Sequence, residues 1–113
     1  EMRDRFSREY RKMIGCLLSS GKRLAACTIY DSIPGLPSHE KAALALFNEV
    51  ILREAFGHGI PIIDLRLICN HPSDYSPLSP IEPSVVGGAK IARVIAQVAT
   101  QHDFAIGKSV VCL

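Results

Sequence analysis

The stretch NHPSDYSPLSPIEPSVVGG, residues 70–88, gathers most of the side chains in this chain that could do chemistry. It offers an imidazole at His71, carboxylates at Asp74 and Glu82, a phenol at Tyr75 and a hydroxyl at Ser79. A carboxylate works as a general base near neutral pH only when burial or a neighbouring anion raises its pKa. Glu82 also has a structural reading, which weighs more. Ser79-x-x-Glu82 fits a capping box with Pro80 at the first helical position, and a shifted register sets Glu82 before Pro83, where its charge complements a helix dipole. His71 can supply an imidazole only if its loop folds back toward a cleft, and Asp74-Tyr75 fits a turn better than an acid/base pair.

Other positions carry polar groups in apolar surroundings. Asp64 and Arg66 stand two apart in IPIIDLRLI, so a strand would point both to one face as a pair reachable by solvent. Asn48 interrupts an apolar helical pattern and is placed to hydrogen-bond a loop. Gly87 and Gly88 each cost a helix interior roughly 1 kcal/mol relative to alanine, which implies close packing there. A helix start of this kind can also receive an anion. His39, His58 and His102 flank helices.

The elements that must position these groups follow from periodicity. Met2, Phe6, Tyr10, Met13, Ile14, Leu17 and Leu18 recur at helical spacing over residues 2–19, with Gly21 where a C-terminal cap belongs. RLAACTIY, residues 23–30, reads as a strand buried on both faces. Residues 31–38 form a turn-rich loop, and Ser38 is a good N-cap for a helix running to about Gly57. IPIIDLRLI, residues 60–68, reads as a second buried strand. A third helix covers about 83–101, and the tail 104–113 holds a β-branched run, Ser109 to Val111, that is either a third strand or a frayed end.

Helices alternating with strands imply an α/β fold with parallel pairing and right-handed crossovers. Reactive loops in such folds follow the carboxyl ends of strands, here 31–38 and 69–82. Two buried strands need neighbours on their open edges. The tail, a second chain or a further part of the domain must supply them.

The chain has 113 residues, 48% hydrophobic and 21% charged, which suits one domain with a core. Its formal net charge is +2, with acids interleaved among the bases, so nucleic acid is not an expected partner. No apolar run approaches the ~18 residues of a membrane span. The four cysteines, Cys16, Cys27, Cys69 and Cys112, show no zinc spacing. Cys27 and Cys69 read as small buried hydrophobes in a reduced, cytoplasmic protein. No metal or cofactor is expected.

Three stretches, AACTIYD, ALALFNEVILREAFGHGIPIIDLRLIC and DYSPLSPIEPSVVGGAKIARVI, together resemble the C-terminal half of an SGNH or GDSL-like hydrolase, in a bacterial branch with an IEPS block where others carry DxxHP. The resemblance covers about Phe6 to Ala99 and rests on the order and spacing of its blocks. It implies a flavodoxin-like α/β/α domain. Active members use a Ser nucleophile in a GDS motif, an oxyanion hole built from Gly and Asn, and an Asp and His from the DxxHP block. Here the GDS and oxyanion blocks are absent. Asp31-Ser32 follows Tyr30 and a later strand, which makes it a poor substitute. Ser79 stands at the family's Asp position and Glu82 at its His position. The resemblance thus implies an esterase or acyl-hydrolase fragment, inactive alone, whose sheet is completed by a missing N-terminal half. The alternative is a non-enzymatic α/β module that forms a homo-oligomer through open sheet edges.

Overall fold

A computed structural model describes residues 1–113. Helix α1 (Met2–Ser19) leads to β1 (Ala26–Cys27), α2 (Ser38–His58) and β2 (Ile62–Ile63). A one-turn helix α3 (Leu65–Ile68) and a 3-10 turn (Pro72–Asp74) precede α4 (Val85–Gln101). A second 3-10 turn (Phe104–Ile106) then leads to β3 (Val111–Cys112). The strands form one parallel sheet in the order β1-β2-β3, with Ala26 beside Ile62 and Ile62 beside Val111. The mixed α/β class and parallel pairing follow the sequence pattern, and the tail does supply a strand.

The strands are shorter than the apolar runs suggest. The second run bends at Asp64, whose carboxylate accepts the Arg66 N–H and caps α3. Residues 65–68 therefore turn as a helix instead of extending the strand. Helix α2 starts after Pro37, which makes no side-chain cap bond, so Ser38 is its first residue and not its cap. It ends at Gly59 in the left-handed region, φ 65°. A Cβ at Gly59 would stand 2.1 Å from the Gly107 carbonyl oxygen, so the tail lies directly against this turn. Ser109 Oγ donates to the Ala55 carbonyl at 3.1 Å and holds the tail to the end of α2.

Alternate residues of the strands face opposite layers. Ala26 and Ile62 pack with Ile14 of α1 and with Ile51 and Ala55 of α2. Ile63 packs with Val94 and Val98 of α4, and Ala25 and Cys112 join that side. Helices α1 and α2 run in the same sense, as Arg3–Glu49, Phe6–Phe47 and Arg11–Glu54 contacts show. Glu54 is buried and pairs with the Arg11 guanidinium at 2.6 Å.

This layering corrects one expectation. Both crossovers step the same way across the sheet, yet α2 lies on one face and α4 on the other. They must have opposite hands, so only one can be right-handed. The preference for the right hand comes from a twisted strand feeding a helix through a short link. Between β2 and α4 the chain runs through α3, a 3-10 turn and the proline loop, and that constraint is relaxed.

The outer edge of β1 is handled by a side chain. Ala26 and Thr28 donate to Pro61 and Ile63 of the β2 segment, so Ile29 points away from the sheet. Asn48 of α2 meets it with both ends of its amide. Its Oδ1 accepts the Ile29 N–H at 2.7 Å and its Nδ2 donates to the Ile29 carbonyl at 2.9 Å. The amide thus replaces a neighbouring strand at that residue, as the loop-bonding role expected for Asn48 required. Replacing Asn48 with alanine strands both backbone groups, and the unfolding free energy measured in urea should fall by about 2 kcal/mol. Asn48→Asp should cost more, because the Ile29 carbonyl would then face a carboxylate.

Candidate functional site

The loops at the carboxyl ends of β1 and β2 meet over the sheet, and a buried acid sits where they join. Thr28 Oγ1 donates to Asp64 Oδ1 at 2.9 Å. Arg66 closes on the same carboxylate with Nε at 2.8 Å and a terminal nitrogen at 2.7 Å. The guanidinium holds the Asp64 pKa below the usual carboxylate range, against the opposing effect of burial. The expected pair therefore forms, but Asp64 is buried and only Arg66 reaches solvent. It arises from a helix cap and not from a shared strand face.

A second buried acid organises the proline loop. Asp74 is fully buried and accepts the His71 N–H at 3.1 Å, while Lys90 Nζ of α4 stands 2.7 Å from its other oxygen. That oxygen has no aligned hydrogen bond, so the contact is an ion pair. The Lys90 ammonium lowers the Asp74 pKa. His71 Nδ1 lies 2.9 Å from Ser73 Oγ and caps the 3-10 turn. Asp74 ends the 3-10 turn, as its type suggested, whereas Tyr75 is extended and bridges to Pro83, and the imidazole stays on its own loop.

The start of α4 differs from both registers expected for it. Its cap is Ser84, whose Oγ accepts the Gly87 N–H at 3.1 Å and donates to the Ser73 carbonyl at 2.6 Å. Ser79 and Glu82 lie before the helix. The Glu82 N–H donates to the Ser79 carbonyl at 2.9 Å, which makes Ser79-Pro80-Ile81-Glu82 a tight turn with proline at its second position. No capping box forms, because the helix cap lies five residues past Ser79 and two past Glu82, where the Ser84 N–H donates to the Asp74 carbonyl at 2.8 Å. Gly87 fits the close-packing expectation, since a Cβ there would stand 2.1 Å from that same carbonyl oxygen. Gly88 does not, having open space around it.

Glu82 is exposed and Ser79 half-buried. Their side chains share no hydrogen bond, so the main chain alone ties them together. The Tyr30 phenol, from the loop after β1, donates to the Ile81 carbonyl at 2.7 Å and brings a proton-bearing group beside the turn. Burial raises its pKa, and the charges of Cys69 and Glu82 raise it further. Tyr75 packs edge-on against Tyr30 at 5.4 Å and donates to the Cys69 carbonyl at 2.6 Å. Burial pushes its pKa up to about 12, so it remains a neutral donor.

The groove beside this turn has a volume of about 520 Å³. Its lining includes Pro34, Pro72, Tyr75, Ser76, Pro80 and Ser84. No imidazole or carboxylate lines it. Asp31 lies close enough to Arg66 to raise the guanidinium pKa, after the larger effect of Asp64. No three metal-ligating side chains converge anywhere in the chain. Cys69 is buried as expected, but Cys27 is exposed because no element covers the outer edge of β1. The sequence reading passed over Lys90, Tyr30 and Ser84. Only Lys90 carried a signal, as the lone cation in the apolar run VVGGAKIA.

No family model, no curated protein and no solved structure matches the chain.

Both buried acids give the fold an acid limit. Their folded pKa values lie below the unfolded carboxylate value, so their contribution is complete above that value. It is lost as pH falls below about 4 and through the folded pKa values. The urea midpoint should drop over that window, and less steeply in Asp74→Asn. The adjacent glycines should separate in the same assay. Gly87→Ala forces the Asp74 backbone aside and should destabilise by about 1–3 kcal/mol, whereas Gly88→Ala should stabilise by up to about 1 kcal/mol.

Proposed function

We propose that the chain is the C-terminal, loop-bearing part of an SGNH-like hydrolase domain with a flavodoxin-like sheet, and that it hydrolyses no ester by itself. The observation that carries this reading is the placement of the SPIEP turn. Its block falls after the second parallel strand and directly before a helix, on the side of the sheet where such folds build their sites. The layering also supports it. In a strand order of 2-1-3-4-5 with right-handed crossovers, the helices that lead into the fourth and fifth strands share one face, and the helix after the fifth is free to cross to the other. Helices α1, α2 and α4 are distributed in that way.

The chemistry agrees with a fragment that does not turn over. A triad requires a hydroxyl nucleophile within hydrogen-bond reach of a base that a third group orients. Ser79 and Glu82 occupy the positions of the family's Asp and His, yet they are joined only through the backbone of a turn. Glu82 is solvated on that turn, near the Tyr30 phenol. In a completed site it would act beside that phenol, as an acceptor of a substrate or nucleophile proton. Ser32 belongs to the loop after β1 and has no base hydrogen-bonded to its hydroxyl.

Incubated with p-nitrophenyl acetate, the chain should release nitrophenolate no faster than a heat-unfolded control. Turnover that Ser32→Ala abolishes would overturn the reading. Turnover that survives Ser32→Ala but is lost in Glu82→Gln would overturn the claim of inactivity and assign the base to Glu82.

A further inference from the structure

We propose that the open edge of β1, with the apolar flank of α4 beside it, binds a second copy of this chain, so that two sheets join antiparallel through β1. The proposal rests on shape, on the hydrogen-bond inventory of the edge and on what lies next to it. It concerns the 113-residue chain by itself; in the completed hydrolase domain proposed above, the N-terminal half would take this same edge.

The molecule is a slab of 40 × 38 × 18 Å with a radius of gyration of 14.8 Å, against about 13 Å for a compact chain of this length. It exposes 7110 Å², where a folded monomer of its mass exposes about 6100 Å². The excess, on the order of 1000 Å², matches the ≈ 800 Å² per partner that a standard interface buries.

The edge itself specifies how two copies meet. In β1 the groups of Ala26 and Thr28 bond β2, and those of Ala25 and Cys27 point outward, where neither N–H finds a partner. Asn48 already occupies both groups of Ile29. Only Ala25 and Cys27 are left to pair. One antiparallel register satisfies them in both copies at once: Ala25 opposite Cys27 of the other copy, with the two-fold axis passing between the Ala26 residues. Each such pair exchanges two hydrogen bonds. A register shifted to place Cys27 opposite itself would set Ala25 against the occupied Ile29.

The flank agrees with this placement. A two-fold axis perpendicular to the sheet puts both α4 helices on the same face. Beside β1 that face carries a groove of about 260 Å³ lined by Ala25, Ile63, Ile95, Val98, Ala99 and Phe104, with the Arg23 guanidinium stacked over the Phe104 ring at its rim. Ile95 is 47% exposed there, and the second α4 would close over it. The opposite edge, at β3, is flanked by Gln97, Gln101 and His102 but also by Val98, Val111, Cys112 and Leu113. The choice of β1 therefore rests on the self-complementary register of Ala25 and Cys27 and not on the polarity of the flank.

Sedimentation equilibrium should find a dimer at about 10 μM chain, within reach of an interface of this size. Cys27→Lys places a charge on the edge and should raise the dissociation constant at least tenfold while circular dichroism stays unchanged. In a Cys16→Ser, Cys112→Ser background, Ala25→Cys should give an oxidised dimer through Cys27 of the other copy, and adding Cys27→Ala should abolish it. A parent chain that sediments as a monomer at that concentration overturns the proposal. So does a dimer that Cys27→Lys leaves intact and Ala25→Cys cannot cross-link, which would place the contact on another face. Neither result bears on ester turnover.

Discussion

Strand β2 is buried on both faces and paired on both edges, and that condition organises the rest of the chain. Ile62 and Ile63 leave almost nothing to solvent, so every backbone group around them needs an internal partner. On one side β1 answers, through the Pro61 and Ile63 carbonyls. On the other, the tail has to return and present Val110 and Cys112 to the N–H groups of Ile62 and Asp64. The tail reaches that position because the backbone at Gly107 packs against Gly59, where a Cβ would stand 2.1 Å from the Gly107 carbonyl oxygen. A ten-residue tail thus becomes an integral strand, through the demands of a strand nearly fifty residues earlier.

The two reactive-looking loops are held by the same economy of buried polar groups. Asp64 ends β2 by turning its carboxylate toward Thr28 and Arg66, which ties the loop after β1 to the start of α3. Asp74 ties the proline loop to α4 through Lys90 and through its own carbonyl, which Ser84 and Gly87 approach closely. A buried carboxylate is tolerable only when paired, and breaking such a pair costs more than the pair contributes. These acids are framework. Glu82, exposed on a tight turn after the proline loop, takes part in neither pair.

Much of the architecture was legible in the residues. Helical spacing of Phe6, Tyr10, Ile14 and Leu18 located α1 and its buried face, and the apolar runs around Ala26 and Ile62 located the strands. Asn48 stood out as a polar group in an apolar pattern, and it does bond a loop. The proline loop and its turn were visible as turn chemistry. The errors have two causes. Reading Ser79 and Glu82 as a capping box and Cys27 as buried applied a local rule where distant groups decided, while Ser38 and the Asp64–Arg66 pair were misplaced by local helix starts, at Pro37 and at Asp64. Asp74 chose Ser84 as the cap, and the missing neighbour of β1 left Cys27 exposed.

By itself, the sequence determined the element types, their order and the α/β class. Backbone sterics and the periodicity of burial act over a few residues and can be read within a short window. Only the tertiary structure decided which face α4 covers, that the tail completes the sheet beside β2, and that Asn48 stands in for a strand at Ile29 while Ala25 and Cys27 stay open. Those outcomes depend on pairing between groups tens of residues apart. Such pairing is settled by which buried hydrogen-bond groups can be satisfied together, and no local pattern records it.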